Sequence, residues 1–154
     1  MALASKDIRN VTIAGHNGTG KTSLLEQLLY YSNVISRPEQ VESGKTTSDY
    51  TEEEIARKIS IHSALANISW EGKSLNFIDA PGTADFVGEV ICGFRTCESA
   101  LMVVDARDGA QIETIKLWRN LNKLSKPRAV FLNKMERERD AYDKTRVISS
   151  RYFS

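Results

Sequence analysis

The chain has 154 residues, a formal net charge of +1 at pH 7, and 41% hydrophobic and 27% charged residues. A chain of this length can bury about two thirds of its unfolded surface around one core, and its composition excludes the disordered and membrane-spanning classes. A nearly neutral charge gives no basic field to attract nucleic acid, so we expect no direct nucleic-acid patch in this segment. No apolar leader follows Met1 and no apolar run reaches about 18 residues, so we expect a cytoplasmic protein with no membrane partner.

The N-terminal part of the sequence predicts a strand, a glycine-rich loop and a helix, in that order. Apolar and β-branched residues dominate Ile8–Ala14, a pattern typical of a strand. Glycines cluster in residues 15–20, and leucines recur at helical spacing within Lys21–Tyr31. A polar connection then occupies residues 32–58, and loops of that length are usually functional lids or disordered segments.

The remaining sequence predicts four further strands and two helices. The predicted strands are residues 59–70, 74–79, 100–105 and 128–133, and the predicted helices are residues 86–94 and 112–124. The charged segment of residues 135–147 predicts a surface helix. This order indicates a three-layer α/β domain with a mostly parallel sheet and strand 59–70 antiparallel at one edge.

Residues 15–22, the phosphate loop, match the pattern G-x-x-x-x-G-K-[ST] in full between the first strand and the first helix. Its glycines allow successive backbone N–H groups to surround an anion at the helix N-terminus. Lys21 would reach the β- and γ-phosphates, and Thr22 would present its hydroxyl to Mg²⁺. The nucleotide-binding residues that this motif predicts are His16, Asn17, Gly18, Thr19, Gly20, Lys21, Thr22 and Ser23.

Two further motifs follow strands that would end beside the phosphate loop. In the sequence Asp-Ala-Pro-Gly, Asp79 could hold a water bound to Mg²⁺, and the Gly82 N–H could meet the γ-phosphate. In the sequence Asn-Lys-Met-Glu, Asn133, Lys134 and Glu136 resemble the guanine-reading element N-K-x-D, with glutamate where aspartate is usual. The carboxylate chemistry is retained, so guanine is the base that this element favours.

Together these three motifs resemble the G domain of translational GTPases, most closely elongation factor G and its elongation factor G-like branch, over residues 8–142. Residues 44–50 and 54–61 resemble the family's first switch, and residues 85–90 resemble its second. We therefore place the first switch segment at about residues 37–60 and the second switch segment at about residues 79–90. The resemblance implies GTP or GDP with Mg²⁺, and the ribosome as a partner of a longer protein. It also implies that Ser60 replaces the threonine that closes over Mg²⁺ and the γ-phosphate.

Two departures from the family pattern bear on catalysis. The resemblance assigns catalytic positions to Lys21, Gly82 and Thr83, but Thr83 stands where the family has a histidine that positions the attacking water. Gly18 stands where the family's phosphate loop commonly has aspartate. Because phosphoryl transfer depends almost entirely on positioning and charge stabilisation, these two changes predict slow hydrolysis.

We expect residues 1–154 to form a single incomplete G domain that lacks the last strand and helix, because no S-A-K/L element follows residues 133–136. Whether the chain hydrolyses GTP is left open by the sequence. One alternative is a non-hydrolysing module in which GTP orders residues 32–60 for a partner. The other is an ATP-binding phosphate-loop protein, which is favoured only by Glu136 and by the absence of the final base-reading element.

Overall fold

A computed structural model of the chain describes residues 4–43, 46–48, 51–57, 59–137, 142–143 and 145. The β-strands are β1 Ile8–Ala14, β2 Ala64–Trp70, β3 Lys73–Asp79, β4 Ser99–Asp105 and β5 Arg128–Asn133. The α-helices are α1 Lys21–Tyr31, α2 Glu52–Arg57, α3 Val87–Thr96 and α4 Ile112–Lys123. Short 3-10 turns lie at Ser5–Asp7, Val41–Ser43, Ala84–Phe86 and Met135–Arg137.

The strands of the described residues form one five-stranded sheet in the order β2-β3-β1-β4-β5. Strand β1 pairs in parallel with β3 and β4, and β4 pairs in parallel with β5, whereas β2 is antiparallel to β3 at the edge. The predicted α/β fold and its antiparallel edge strand are therefore confirmed. Because β1 lies at the centre, the loop that follows it begins between the C-terminal ends of β3 and β4, where open α/β sheets bind their ligands.

Helices cover both faces of the sheet, which gives the domain its three layers. On one face, Leu25 of α1 is buried in a cluster with Ile13 of β1. On the other face, Phe94 of α3 and Leu121 of α4 are buried with Met102 of β4. The central strands are thus apolar on both faces, as parallel strands between two helical layers must be.

The predicted start of strand β2 is wrong. The sequence predicts a strand over residues 59–70, but the ladder with β3 begins at Ala64. The physical reason is that the N–H groups of Ile61 and His62 donate to the carboxylate of Glu54, each at 3.0 Å, instead of to a neighbouring strand. Residues 59–63 therefore belong to the loop that precedes the sheet.

The long polar connection contains more regular structure than the sequence predicted, because it includes helix α2 and the 3-10 turn Val41–Ser43. Residues 44–45, 49–50 and 58 of the first switch segment lie outside the described residues. The predicted surface helix of residues 135–147 begins with the 3-10 turn Met135–Arg137, and its residues 138–141, 144 and 146–147 also lie outside the described residues. None of the helices in the described part of the chain has the length and apolar character that a membrane span requires.

Candidate functional site

The phosphate loop connects the buried end of β1 to the first turn of α1, and two of its glycines are sterically required. A Cβ at Gly15 would collide with the backbone carbonyl of Val103 on β4. Gly20, the N-cap of α1, has φ 92° and ψ 30°, and a Cβ there would collide with the side-chain amide of Asn133. The loop therefore fits against neighbouring strand ends only with glycine at these positions.

The carbonyl of His16 is the internal anchor of the loop. It accepts hydrogen bonds from Thr19 Oγ1 at 3.0 Å and from Lys21 Nζ at 3.1 Å. Thr19 and Lys21 are buried, whereas Asn17 and Gly18 at the tip of the loop are exposed. The lysine ammonium is thus held inside the curve of the loop, next to the backbone that would surround an anion.

Three side chains predicted to serve Mg²⁺ converge at the start of α1. Thr22 Oγ1 donates to Asp79 Oδ2 at 2.7 Å, and it lies 3.5 Å from Ser60 Oγ. Thr22 and Asp79 are 7% and 1% exposed, so water is largely excluded from their hydrogen bond. Each side chain comes from a different element, namely α1, the end of β3 and the first switch segment.

Hard oxygen atoms of this kind suit Mg²⁺, which commonly uses one or two protein ligands together with phosphate oxygens and water. In the described part of the chain, no three His, Cys, Asp or Glu side chains come together as an all-protein metal site. The cluster of two hydroxyls and one carboxylate therefore fits a metal that is held jointly with a phosphate ligand.

The second switch segment lies directly against the phosphate loop. A Cβ at Gly82 would lie 2.7 Å from the backbone N of Asn17 and would also collide with Nζ of Lys21. Thr83, the next residue, has extended backbone angles of −87° and 138° and precedes the turn Ala84–Phe86. Of the three predicted catalytic positions, Gly82 therefore packs against Lys21, and Thr83 follows Gly82 directly in the chain.

A cavity of about 120 Å³ lies beside Thr83, between the second switch segment and α4, and Glu113 and Lys116 contribute to its wall. Glu113 Oε2 lies 3.0 Å from Nδ1 of His16, so α4 also contacts the phosphate loop. Ser23 is exposed on the first turn of α1 and lines a separate groove together with Gln27 and residues 38–40.

The segment of residues 133–136, which the sequence predicts to read the base, contacts the phosphate loop from the end of β5. Asn133 Nδ2 donates to the Thr19 carbonyl at 2.8 Å, and Lys134 Nζ donates to the Gly18 carbonyl. Glu136 is exposed in the turn Met135–Arg137 and makes none of these contacts. Asn133 and Lys134 are therefore joined to the loop, while the Glu136 side chain is exposed.

Asp105, at the end of β4, was not predicted and completes this contact. Its Oδ2 lies 3.0 Å from Lys134 Nζ, and its Oδ1 accepts the Arg107 N–H at 3.0 Å. Burial alone would raise the pKa of Asp105, but the hydrogen bonds from Lys134 and Arg107 and the charge of Lys134 hold that pKa below its usual range. Asp105 thus stays ionised and fixes the lysine over the loop.

Two buried glutamates that the sequence reasoning missed hold the first switch segment. Glu26 of α1, 2% exposed, accepts the N–H groups of Glu39 at 3.1 Å and Thr47 at 2.5 Å. Glu54 of α2, fully buried, accepts the Thr51 N–H at 3.1 Å and the Thr51 hydroxyl at 2.7 Å, besides the two amides described above. The sequence Thr51-x-x-Glu54 is a capping-box signal, but the contacts of Glu26 leave no local sequence signal.

The family model and two similar relatives of this chain agree on one protein family. The elongation factor Tu GTP binding domain model matches residues 6–151. The elongation factor G-like protein of Mycobacterium tuberculosis is 40% identical over 135 residues, which is 88% of this chain and 19% of that protein. The mitochondrial ribosome-releasing factor 2 of Candida dubliniensis is 38% identical over 143 residues, which is 93% of this chain and 18% of that protein.

A crystal structure of a Thermus thermophilus protein superposes with a TM-score of 0.90 at 35% identity and covers 95% of this chain and 22% of that one. The chain thus spans about a fifth of the length of the relatives that it matches. The resemblance predicted from the three motifs is confirmed, and this chain belongs to the elongation factor Tu GTP-binding domain family, with relatives of the elongation factor G-like type.

Proposed function

We propose that the chain is the Mg²⁺-GTP-binding front part of the G domain of an elongation factor G-like translation factor, and that its two switch segments respond to the γ-phosphate. The observation that carries this proposal is the convergence of Thr22, Ser60 and Asp79 within hydrogen-bond distance beside the phosphate loop. Thr22 belongs to the phosphate loop, Ser60 to the first switch segment and Asp79 to the second switch segment, so each of the three parts of a nucleotide switch contributes one side chain.

In this proposal, Thr22, Ser60 and Asp79 hold Mg²⁺, which supplies charge neutralisation on the phosphate oxygens. The N–H groups of residues 16–22 and Nζ of Lys21 bind the phosphates. The packing of Gly82 against Asn17 and Lys21 supports a role for Gly82 as a sensor, because a γ-phosphate bound among the same groups must meet the Gly82 backbone. Displacement of the second switch segment by that phosphate is an ordinary GTPase switching mode.

Slow hydrolysis is expected from the residues beside the γ-phosphate position. Thr83 cannot act as an imidazole, so the chain lacks the side chain that the family uses to position water at that position. Gly18 has no side chain that could help hold a charge-neutralising monovalent cation at the loop tip. Lys21 and the Gly82 N–H would still stabilise the transition state. We therefore expect GTP hydrolysis to proceed at a slow basal rate.

For base selection, we propose guanine. Asn133 and Lys134 are fixed on the phosphate loop by their bonds to Thr19 and Gly18, which leaves the exposed Glu136 carboxylate to accept hydrogen bonds from a base. Adenine lacks the pair of N–H donors that a carboxylate recognises in guanine. An ATP-binding protein is the competing interpretation, and it requires that Glu136 does not reach the base.

Calorimetric titration of GTP, GDP and ATP into the purified chain with Mg²⁺ tests the proposal. GTP and GDP should bind and ATP should bind much more weakly. Lys21→Ala should abolish binding, whereas Lys123→Ala, which changes an exposed lysine on α4, should leave it unchanged. Absence of binding by any nucleotide, or equal binding of ATP, would contradict the proposal.

A second candidate is a nucleotide-dependent binding module that does not hydrolyse GTP, and Thr83 is the residue that favours it. The ribosome is the proposed partner of the longer protein, because one relative is named as a ribosome-releasing factor. Single-turnover hydrolysis by the full-length protein, with and without ribosomes, separates the two candidates, since ribosome-stimulated turnover is incompatible with the module. The expected cytoplasmic location stays a prediction, because that same relative is named as mitochondrial.

A further inference from the structure

Glu54 differs from an ordinary helix-capping glutamate because both of its carboxylate oxygens accept hydrogen bonds from the backbone. Its Oε2 completes a capping box with Thr51, accepting the Thr51 N–H at 3.1 Å while the Glu54 N–H donates to Thr51 Oγ1 at 3.3 Å. A capping box needs only that oxygen. The other oxygen, Oε1, accepts the N–H groups of Ile61 and His62, which lie seven and eight residues further along the chain.

These two amides define the position of Ser60. The N–H of Ile61 belongs to the peptide group that joins Ser60 to Ile61, so its bond to Glu54 fixes the plane of that peptide. Ser60 Oγ lies 3.5 Å from Thr22 Oγ1 at the candidate Mg²⁺ site. The Glu54 carboxylate therefore acts on the backbone of the residue that closes the site, although it does not contact Thr22 or Asp79 itself.

Burial of Glu54 makes this connection strong. The residue is 0% exposed, and its donors are three backbone N–H groups and one hydroxyl. A buried carboxylate is costly unless such donors satisfy it, and bonds to a charged acceptor are about twice as strong as neutral ones. The charge also persists at physiological pH, because the bonds from His62, Ile61 and Thr51 outweigh the effect of burial and lower the pKa of Glu54 to about 2.

We propose that Glu54 is a positioning residue that joins α2 to residues 60–62 and thereby holds the Ser60 hydroxyl over the Mg²⁺ and γ-phosphate site. This inference rests on the proposed function, and it concerns the triphosphate state specifically. We call the hydrogen bonds from the Ile61 and His62 N–H groups to Glu54 the clamp. Loss of the clamp should weaken binding of Mg²⁺-GTP but not of Mg²⁺-GDP, because GDP lacks the phosphate that Ser60 would close over. A residue that only stabilises the fold would affect both nucleotides equally.

The test compares Glu54→Gln with Glu53→Gln, a neighbouring change at an exposed position of the same helix. Glutamine keeps the size of the side chain but cannot accept all four hydrogen bonds. We expect affinity for a non-hydrolysable GTP analogue to fall by roughly tenfold or more, as is typical for residues that orient metal ligands. GDP affinity should be unchanged, and Glu53→Gln should behave as the unaltered chain.

A double-mutant cycle with Ser60→Ala separates positioning from general stabilisation. If Glu54 acts through the Ser60 hydroxyl, Glu54→Gln should have little further effect on GTP-analogue affinity once Ser60 is alanine. Additive losses, or equal losses for GTP analogue and GDP, would overturn the proposal.

Hydrogen exchange of the nucleotide-free chain provides a measurement that does not depend on nucleotide binding. Glu54→Gln should accelerate exchange of the Ile61 and His62 amides while leaving the β1 amides at their original rates. Unchanged exchange at residues 61 and 62 would overturn the inference even if GTP binds. Failure of the unaltered chain to bind any nucleotide would instead refute the proposed function, so the two failures are distinguishable.

Discussion

Thr22 Oγ1 donates a 2.7 Å hydrogen bond to Asp79 Oδ2, joining two buried residues that are 57 positions apart in the sequence. The bond links the first turn of α1 to the end of β3. It is formed because β1 and β3 are adjacent parallel strands, so that their C-terminal ends meet. The phosphate loop and the second switch segment are therefore joined by the sheet topology itself.

Asp79→Asn should remove most of the Mg²⁺ dependence of GTP binding. The amide keeps the shape of the side chain and can still hydrogen-bond to Thr22, but it lacks the negative charge that favours a hydrated Mg²⁺. We expect the Mg²⁺-dependent gain in GTP affinity to fall by about tenfold or more. Titration of GTP with and without Mg²⁺ measures the effect. Asp143→Asn, at an exposed position, is the control, and an undiminished Mg²⁺ effect in Asp79→Asn would refute this role.

Local sequence patterns predicted the phosphate loop and helix α1 because each depends on residues that are neighbours in the sequence. Helix α1 begins and ends at Lys21 and Tyr31, as its leucine spacing indicates. The glycine pattern of residues 15–22 likewise reflects steric demands that act within the loop and at adjacent strand ends. Ser60 was predicted from the family resemblance alone, because no local pattern could reveal that its Oγ lies 3.5 Å from Thr22 Oγ1.

The buried glutamates escaped prediction because their partners are distant in sequence. Glu26 is a charged residue on an amphipathic helix, and such a residue normally faces solvent. It is buried because the amides of Glu39 and Thr47 donate to it. Strand β2 was predicted too long for a related reason, since β-branched residues 59 and 61 resemble a strand while the Ile61 amide is bonded to Glu54.

Thr83→His should accelerate single-turnover GTP hydrolysis. Residue 83 adjoins Gly82, which packs on the phosphate loop, so an imidazole there would be close to the γ-phosphate position. Positioned acid–base groups typically contribute about 10²- to 10⁴-fold, so we expect a gain of at least about tenfold from an imperfectly supported histidine. Rapid-quench measurement of GTP cleavage checks this. Thr83→Val, which removes the hydroxyl without adding an imidazole, should keep the slow rate, and a Thr83→His rate equal to it would contradict the prediction.

Gly20→Ala should destabilise the chain, whereas Gly88→Ala should not. Gly20 has φ 92°, a conformation that costs an alanine about 1–3 kcal/mol, and its new Cβ would collide with Asn133. Gly88, in the first turn of α3, has open space at its Cβ, so alanine there should raise stability by up to about 1 kcal/mol through helix propensity. Urea unfolding of the two variants measures the difference in free energy of unfolding. Similar effects of both changes would contradict the prediction, because they would show that the phosphate loop accommodates a Cβ at residue 20 without strain.

Acid should destabilise the chain partly through Glu54. The bonds to Glu54 lower its pKa from 4.5 to about 2 in the folded state, so the folded chain binds its proton less readily than the unfolded chain does. The stabilisation is therefore complete above about pH 4.5 and is lost as the pH falls towards 2. Glu54→Gln should lower the free energy of unfolding at pH 7 and flatten its dependence on pH between those limits.

Denaturant unfolding at a series of pH values, compared with that of Glu53→Gln, measures this contribution. Glu53 is exposed one position away on α2, so its glutamine variant changes the same formal charge without removing the clamp. The loss of stability at acid pH should be the same for Glu53→Gln as for the unaltered chain, because this change leaves the four hydrogen bonds to Glu54 in place. If Glu54→Gln lost stability at acid pH as steeply as the unaltered chain does, other carboxyl groups would cause the pH dependence. Such a result would contradict an ionised Glu54 that accepts hydrogen bonds from its four donors.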